Sequence, residues 1–381
     1  MTQFFRYKNL TWPEVAELPR ETPLVIPLGT GYQIPRLADD LGRPEKIGIL
    51  PALPFGWQGS GLAVEPSLLN ALVGNLLAGL CEDGFSRSYV VVPPGVDLGL
   101  GERQKVLPEE HPLGAALPTV LPPEGEQGKV VLIPIGHVEQ HGLHLPLSTD
   151  TVCIKAISQG VMDAVPQLAT SLPAFPYGVS THRAAFAGTL SAGGRAFEDF
   201  WLDVIKVLAG RGFDMIYLMS GHGGNVSFLV NVVKYAGERH PGVFSATTWL
   251  YLSGPKGVVA LEKHRQSKPG GMGHACELET SLLLHLHPEL VHMERAVDET
   301  DFIVTPSLYQ DWADSGVLVA NPPWTDDTAT GAFGAGSLGT AEKGQVWLQV
   351  AIDEKVDHVK EIIEQQRRRK EKRAKEQKIR L

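Results

Sequence analysis

Short apolar runs alternating with longer amphipathic stretches constrain this chain more than any other feature. "VVLIPIG" at 130–136, "IYLMSG" at 216–221 and "VFSATTW" at 243–249 read as strands. Between them, "AFEDFWLDVIKVLAGRG" and "VSFLVNVVKYAGERHPG" read as helices that end in Gly or Pro. Strand, helix, strand in that order predicts an α/β fold layered around a mainly parallel sheet, with helices on its faces. Ligands of such sheets gather beyond the carboxyl ends of the strands.

The first hundred residues repeat part of this pattern. "IPLG" at 26–29 matches "IPIG" at 133–136, and "LPALPFG" at 50–56 matches "LPAFPYG" at 172–178. "LLAGLCEDGFSRSYVVVPPG" at 76–95 then parallels "VLAGRGFDMIYLMSGHGG" at 207–224. Three matches in one order predict an internal duplication. Residues 1–95 would be a partial, degenerate copy, 96–128 a connection, 129–360 the complete copy and 361–381 a basic helical tail. The alignment sets Tyr32 opposite Glu139, Ile34 opposite His141 and Pro94 opposite His222, so the candidate ligands below are missing from the first copy.

With 381 residues and 43% hydrophobic content, the chain is long enough for two domains or one enlarged one. No apolar run approaches the roughly 20 residues of a membrane span, and "MTQFFRYKNLTWPEV" lacks the apolar core of a signal peptide. A cytoplasmic protein with no membrane partner is expected. Cys81, Cys153 and Cys276 are too few and too scattered for a disulfide framework. Nine Lys or Arg and two Glu give residues 367–381 a net +7, so the remainder of the −9 chain carries −16. Such an acidic body argues against general nucleic-acid binding, and the basic run reads as a solvated helix end.

Chemistry concentrates in the second copy. In "VLIPIGHVEQHGLHLPLSTDT" a strand leads into Glu139, His141, His144 and Asp150. Glu139 and His141 are two apart, so in an extended segment both point to one side. Carboxylates crowded with imidazole suit a divalent cation, against the alternative of a hydrogen-bonded polar turn. In "YLMSGHGGNVSFLVNVV" glycines flank His222, and Asn225 stands where a helix N-cap is wanted. A phosphate loop is the competing reading, but GxxxxGK[ST] and its lysine are missing. In "GHACELETSLLLHLHPELV" a helix from about Ala275 puts Glu279, Leu282, Leu283 and Leu286 on one apolar face. A carboxylate on a buried face must be paired or metal-bound. Glu277 points elsewhere, as a solvent-facing or hydrogen-bonding residue, and His274 is either a satisfied core histidine or a proton carrier.

"PIGHVEQHGLHLPLSTDT", "SGHGGN" and "HACELETSLLLHL", with "YGVSTHRAAFAGTLS" and "GTAEKG", resemble in order the signature blocks of the creatininase (creatinine amidohydrolase) family, over about Lys129 to Asp357. "YKNLTWPEVAEL" near the N-terminus resembles the usual start of that domain. The resemblance implies a layered α/β unit, a homo-oligomer and two divalent ions, whether zinc, manganese or iron. Glu139, Asp150 and His222 would hold one ion; His141 and another carboxylate would hold the second, with Asp150 bridging. Creatininase carries a glutamate where this chain has Gly224, and Glu279 is the natural substitute.

The substrate-side loop, S-x-E-H-x-x-F-P-G-T in many relatives, here has His182 for the glutamate and Arg183 for the histidine. An arginine there suits a carboxylate or an oxygen-rich ring. His182, Arg183, Tyr177 and Trp249 make up the expected substrate-binding set. The implied reaction is attack of a metal-activated water on a carbonyl, with His274 passing a proton to the leaving group and Glu277 in support. A small cyclic amide is the expected substrate. Carbon–carbon hydrolysis of a cyclic polyol diketone of the 3-dehydro-scyllo-inosose type is the alternative, and a non-catalytic structural oligomer is the alternative of another class.

Overall fold

The computed structural model describes residues 1–108, 120–181 and 185–380. Two parallel sheets dominate it. The first contains β1 (Gln3–Arg6), β2 (Leu24–Pro27), β3 (Lys46–Ile49), β4 (Ser88–Val92) and β5 (Gln104–Val106) in the order β1-β3-β2-β4-β5. The second contains β6 (Val130–Ile135), β7 (Ala169–Ser171), β8 (Met215–Ser220) and β9 (Phe244–Thr247) in the order β7-β6-β8-β9. Their central strands read as unbroken apolar runs because helices cover both faces.

Along β6 the period of two divides the side chains between two cores. Val131, Ile133 and Ile135 join the core shared with α3 (Pro66–Glu82), α5 (Gly194–Gly210) and α6 (Val226–Arg239). Val130 and Leu132 face the core of α4 (Thr149–Ala164), α7 (Pro255–His264), α8 (Glu277–Leu286) and α9 (Ala341–Arg380). Leu24, Ile26 and Leu28 of the first sheet enter the same core as Val131, so α3 and α5 lie in a layer common to both sheets. Each fully buried Val, Ile or Leu stabilises by about 1.5–3 kcal/mol as an upper value.

The repeated segments occupy matching places. Pro27 pairs with Val91 as Pro134 pairs with Met219, and the Leu28–Leu53 bridge has its counterpart in Ile135–Phe175. The halves diverge after their first strands. Where the second has the 16-residue α4, the first has only α2 (Ile34–Asp40), and Tyr32 donates its hydroxyl to its own half's Leu28 carbonyl. The segment read as a connection is not only that, because β5 lies in it and pairs with β4. The basic tail continues the preceding helix, α9, which runs unbroken from Ala341 to Arg380. Among the described residues no helix is long and apolar enough to cross a membrane.

A small antiparallel sheet, β10 (Met272–His274), β11 (Asp298–Glu299) and β12 (Phe333–Ala335), leads into α8. The first half also touches the loops beyond β6. Leu10 and Lys8 carbonyls accept from Leu147 N and Ser148 N at 2.9 and 3.1 Å, and α1 (Trp12–Glu17) sends the Trp12 indole N–H to Thr330 O at 2.8 Å.

Candidate metal centre

Four chain segments meet beyond the ends of β6 and β8. The first leaves β6 at Gly136, where a Cβ would lie 2.5 Å from Thr151 Cα, so only glycine lets the strand end and the start of α4 touch. It carries Glu139 and His141 through an irregular stretch. The second is the first turn of α4, which opens at Thr149 and presents Asp150. The third leaves β8 through Gly221, whose absent Cβ would fall 2.4 Å from Asp150 O, and turns out His222. The fourth passes from β10 through His274 into α8, where Glu279 is the third helical residue. That helix starts at Glu277 rather than Ala275, because Ala275 adopts φ +50°, outside the right-handed helical region.

Glu139, His141, Asp150, His222, His274 and Glu279 are all buried. Asp150 lies between two candidate ligand histidines: Oδ1 is 3.2 Å from His141 Nε2, and Oδ2 is 3.3 Å from His222 Nδ1. Glu139 Oε2 stands 2.9 Å from His222 Nδ1, and Glu279 Oε1 stands 3.6 Å from His141 Nε2. Candidate ligand atoms of His141, Asp150 and Glu279 lie within 4.8 Å of one another, as do those of Glu139, His141 and His274.

Backbone carbonyls fix the tautomers. A carbonyl oxygen can only accept, so His141 Nδ1 donates to Glu139 O (3.0 Å), His222 Nε2 to Val179 O (3.0 Å) and His274 Nε2 to Gln140 O (2.6 Å). Each ring therefore turns its other nitrogen into the cluster, where it can offer a lone pair when no proton is bound there. This is the outer support that metal-binding imidazoles need.

The charges suit a cation. Burial works against a proton on His222, but Glu139 and Asp150 prevail and raise its pKa to about 10. His141 is likewise desolvated, yet Asp150 and Glu279 hold it well above the ordinary range. Burial opposes ionisation of Asp150, and His141 with His222 outweighs it and brings it to about 2. Protons on two imidazoles thus offset two of the three carboxylate charges, and a divalent ion would do the same without them. Oxygen and nitrogen donors in this mixture fit zinc or manganese.

Glu277 is not brought to the cluster. It is buried on the other side of α8, where its carboxylate accepts from Gln266 N and Ser267 N, both at 2.8 Å, and pairs with Lys343 at 2.6 Å. There it holds the turn before β10. His144 faces Thr280 Oγ1 at 2.8 Å, behind the cluster. Tyr177 is turned into the core between the halves and donates to Pro51 O at 2.6 Å. Asn225 precedes α6 without capping it; its side chain ties Val179 N, Gly136 O and Ser220 Oγ, joining three loops of the centre. Trp249 stands half-exposed beside the turn of His222, its Cη2 3.9 Å from where a Gly223 Cβ would be. His182 and Arg183 lie outside the described residues.

The sequence reading missed His137. A ring nitrogen of His137 lies within 4.8 Å of candidate ligand atoms of Glu139 and His222, and its ring centroid is 4.3 Å from that of His222. Its Nδ1 accepts from Gly178 N at 2.9 Å, so Nε2 carries the proton and His137 is wired as a donor rather than a ligand. Burial, followed by the His222 charge, lowers its pKa to about 3 and keeps it neutral. Its place two residues before Glu139 was the available signal.

A family profile described as "Creatininase: Creatinine amidohydrolase" matches residues 122–359. The creatinine amidohydrolase of Pseudomonas putida is 27% identical over 248 residues, 61% of this chain and 89% of the relative. The mycofactocin precursor peptide peptidase of Mycobacterium tuberculosis is 29% identical over 260 residues, 65% and 90%. The 3-dehydro-scyllo-inosose hydrolase of Thermotoga maritima is 26% identical over 257 residues, 63% and 79%. Among solved structures, "Creatininase Mn" superposes with a TM-score of 0.51 at 26% identity, covering 61% of this chain and 91% of that one.

Proposed function

The chain belongs to the creatininase family, and from that premise we propose that it is a hydrolase whose buried centre holds two divalent ions and cleaves an amide bond, a small cyclic amide being the first candidate. The observation that carries the reading is the convergence of three carboxylates and two correctly turned imidazoles at the ends of β6 and β8. Glu139, Asp150 and His222 are suited to one ion and His141, Asp150 and Glu279 to the other, with Asp150 offering one oxygen to each. Bound there, divalent ions would polarise a carbonyl oxygen and lower the pKa of a water towards neutrality.

The chain's own residues supply the rest. Burial and the nearby His141 lower the pKa of His274 and keep it neutral, with Nδ1 3.9 Å from Glu139 Oε2. That nitrogen can take up a proton and return it to a departing nitrogen. Glu279 stands in for the carboxylate that Gly224 cannot supply: a Cβ there would fall 2.4 Å from His222 Nε2 and 2.5 Å from Val179 O, so a glutamate introduced at 224 would displace the histidine. Residues 1–95 fit a degenerate, ligand-free copy of the unit, supported by matched registers in the two sheets.

Creatinine amidohydrolase and the peptide peptidase both bear names of amide cleavage, which favours a C–N bond. The inosose hydrolase relative favours a second reading, hydrolysis of a carbon–carbon bond in a cyclic polyol diketone. Metal-loaded protein is incubated with creatinine and related cyclic amides, short peptides and the cyclic diketone, and products are followed by mass. Gain of one water by an amide substrate, with about two ions per chain by elemental analysis, is the expected result. Opening of the diketone alone selects the second reading. Protein that retains no ion after metal-supplemented expression refutes both.

A further inference from the structure

A loop between β9 and α7 passes beside the Gly223 turn, and a single buried ammonium holds it on both sides of its most exposed residue. Lys355, on α9, is only 1% exposed. Its Nζ donates to Thr248 Oγ1 and to Leu250 O, each at 3.1 Å. Between those partners stands Trp249, 47% exposed beside the Gly223 turn and one residue removed from His222. The adjoining Glu354 grips the far end of the loop, its Oε2 accepting from Gly254 N at 2.9 Å and Gly257 N at 3.1 Å.

Other groups brace the same ten residues. Tyr217 OH lies 3.3 Å from Thr248 Oγ1 and 2.7 Å from His358 Nδ1, while Trp312 donates its indole N–H to Tyr251 O at 2.7 Å. Leu252 is held at φ +58°, a left-handed conformation that a branched side chain rarely adopts and that persists only where neighbours over-determine it. A lysine is seldom buried, because desolvating its charge is unfavourable, and Glu354 Oε1 at 3.6 Å is the carboxylate that compensates it. One outcome of this arrangement is that every residue from Thr248 to Leu252 except Trp249 is fixed through its backbone or side chain to another element or to a restricted torsion.

We propose that Lys355 is a positioning residue for the substrate-facing wall: by holding both neighbours of Trp249 it fixes the indole as a flat, rigid surface beside the metal centre. This rests on the hydrolytic reading above for the wall's purpose, but not for the clamp itself. Indoles present large apolar faces at small entropic loss, so a pre-set Trp249 favours a planar or ring-shaped substrate over a flexible one.

The test uses full-length protein labelled with 5-fluorotryptophan, in which the Trp249 resonance is assigned by its loss in Trp249→Phe. In wild type the line should be single and sharp. In Lys355→Met it should broaden or split, and its solvent isotope shift should grow, with the six other tryptophan lines unmoved. Thr248→Val, which removes one of the two contacts, should give a smaller change of the same kind, and Lys355→Arg should restore part of the wild-type line. Should Lys355→Met fail to fold because Glu354 is left uncompensated, Lys355→Met with Glu354→Gln takes its place.

On an amide that wild type cleaves, KM should rise about tenfold or more in Lys355→Met while kcat stays within about threefold. A lowered melting temperature with an unaltered Trp249 line would make Lys355 a structural residue and overturn the proposal. Absence of metal and turnover in wild type would instead defeat the hydrolytic reading, while the fluorine line would still decide the clamp.

Discussion

A neutral imidazole offers a metal one lone pair, and the partner of its other nitrogen decides where that pair points. Three carbonyls, those of Glu139, Val179 and Gln140, decide it for His141, His222 and His274, and an amide N–H reverses it for His137. A buried donor left unpaired costs about 1–3 kcal/mol, so the Nε2–H of His137 is expected to serve an oxygen at the loaded centre. His137→Asn keeps an acceptor where Nδ1 was and loses the donor; His137→Gln restores an N–H near Nε2. Zinc affinity by titration calorimetry should fall about tenfold in the Asn variant, the usual size of an outer-support effect, and stay within about threefold in the Gln variant. Equal affinities in all three proteins would leave His137 without a part in metal binding. The candidate ligands themselves were legible because their spacing and their strand-end position carry the signal. The polarity of His137 was not, since it is set by Gly178, 41 residues away in sequence.

Elements were read well where an apolar period was long and poorly where a single torsion or a long-range partner intervened. The strands and helices of the second half fall where their runs predict, whereas β5, with Gln104 and Lys105 among its three residues, gives no apolar run to recognise. Helix α3 poses a different question at its end. Asp83 follows it, and its carboxylate accepts from Gly188 N at 2.9 Å, linking the first half to the loop after Phe186. Burial raises its pKa to about 6, with the Gly188 hydrogen bond and Arg20 pulling it back. Its unfolded value is near 3.9, so the folded state binds the extra proton between the two. Stability from this group is full below about pH 4 and is lost as pH rises through 6, a penalty of about 1–3 kcal/mol at neutrality. Asp83→Asn keeps an acceptor for Gly188 without the charge. Its melting temperature should exceed wild type at pH 7.5, and the gap should close near pH 4; a gap of constant size would show that the carboxylate's charge is not its cause.

At the scale of the whole molecule, the longest element does the most joining. Helix α9 packs Trp347, Ala351, Val359 and Ile362 into the core of the second sheet, and Gln366 reaches Asp214 O and Gly242 O at 3.0 and 2.7 Å. Beyond it, Lys370 pairs with Asp214, Arg373 donates to Pro241 O, and Arg369 lies over Phe244, all at the surface. Exposed contacts of this kind are worth about 0–1 kcal/mol each. Truncation after Gln366 should therefore lower the melting temperature by only a few degrees, whereas truncation after Glu361, which also removes Ile362 and Gln366, should lower it by on the order of 10 °C. Similar losses from the two cuts would mean that the basic run is itself an anchor. Lys343 pairs with Glu277 before β10 and Lys355 holds Thr248 and Leu250 after β9, so both loops depend on residues made after every candidate ligand. A ribosome-bound chain that has emerged only as far as Leu338 already carries all five candidate ligands but lacks α9, so the loops beside them gain their braces only when the last helix is made.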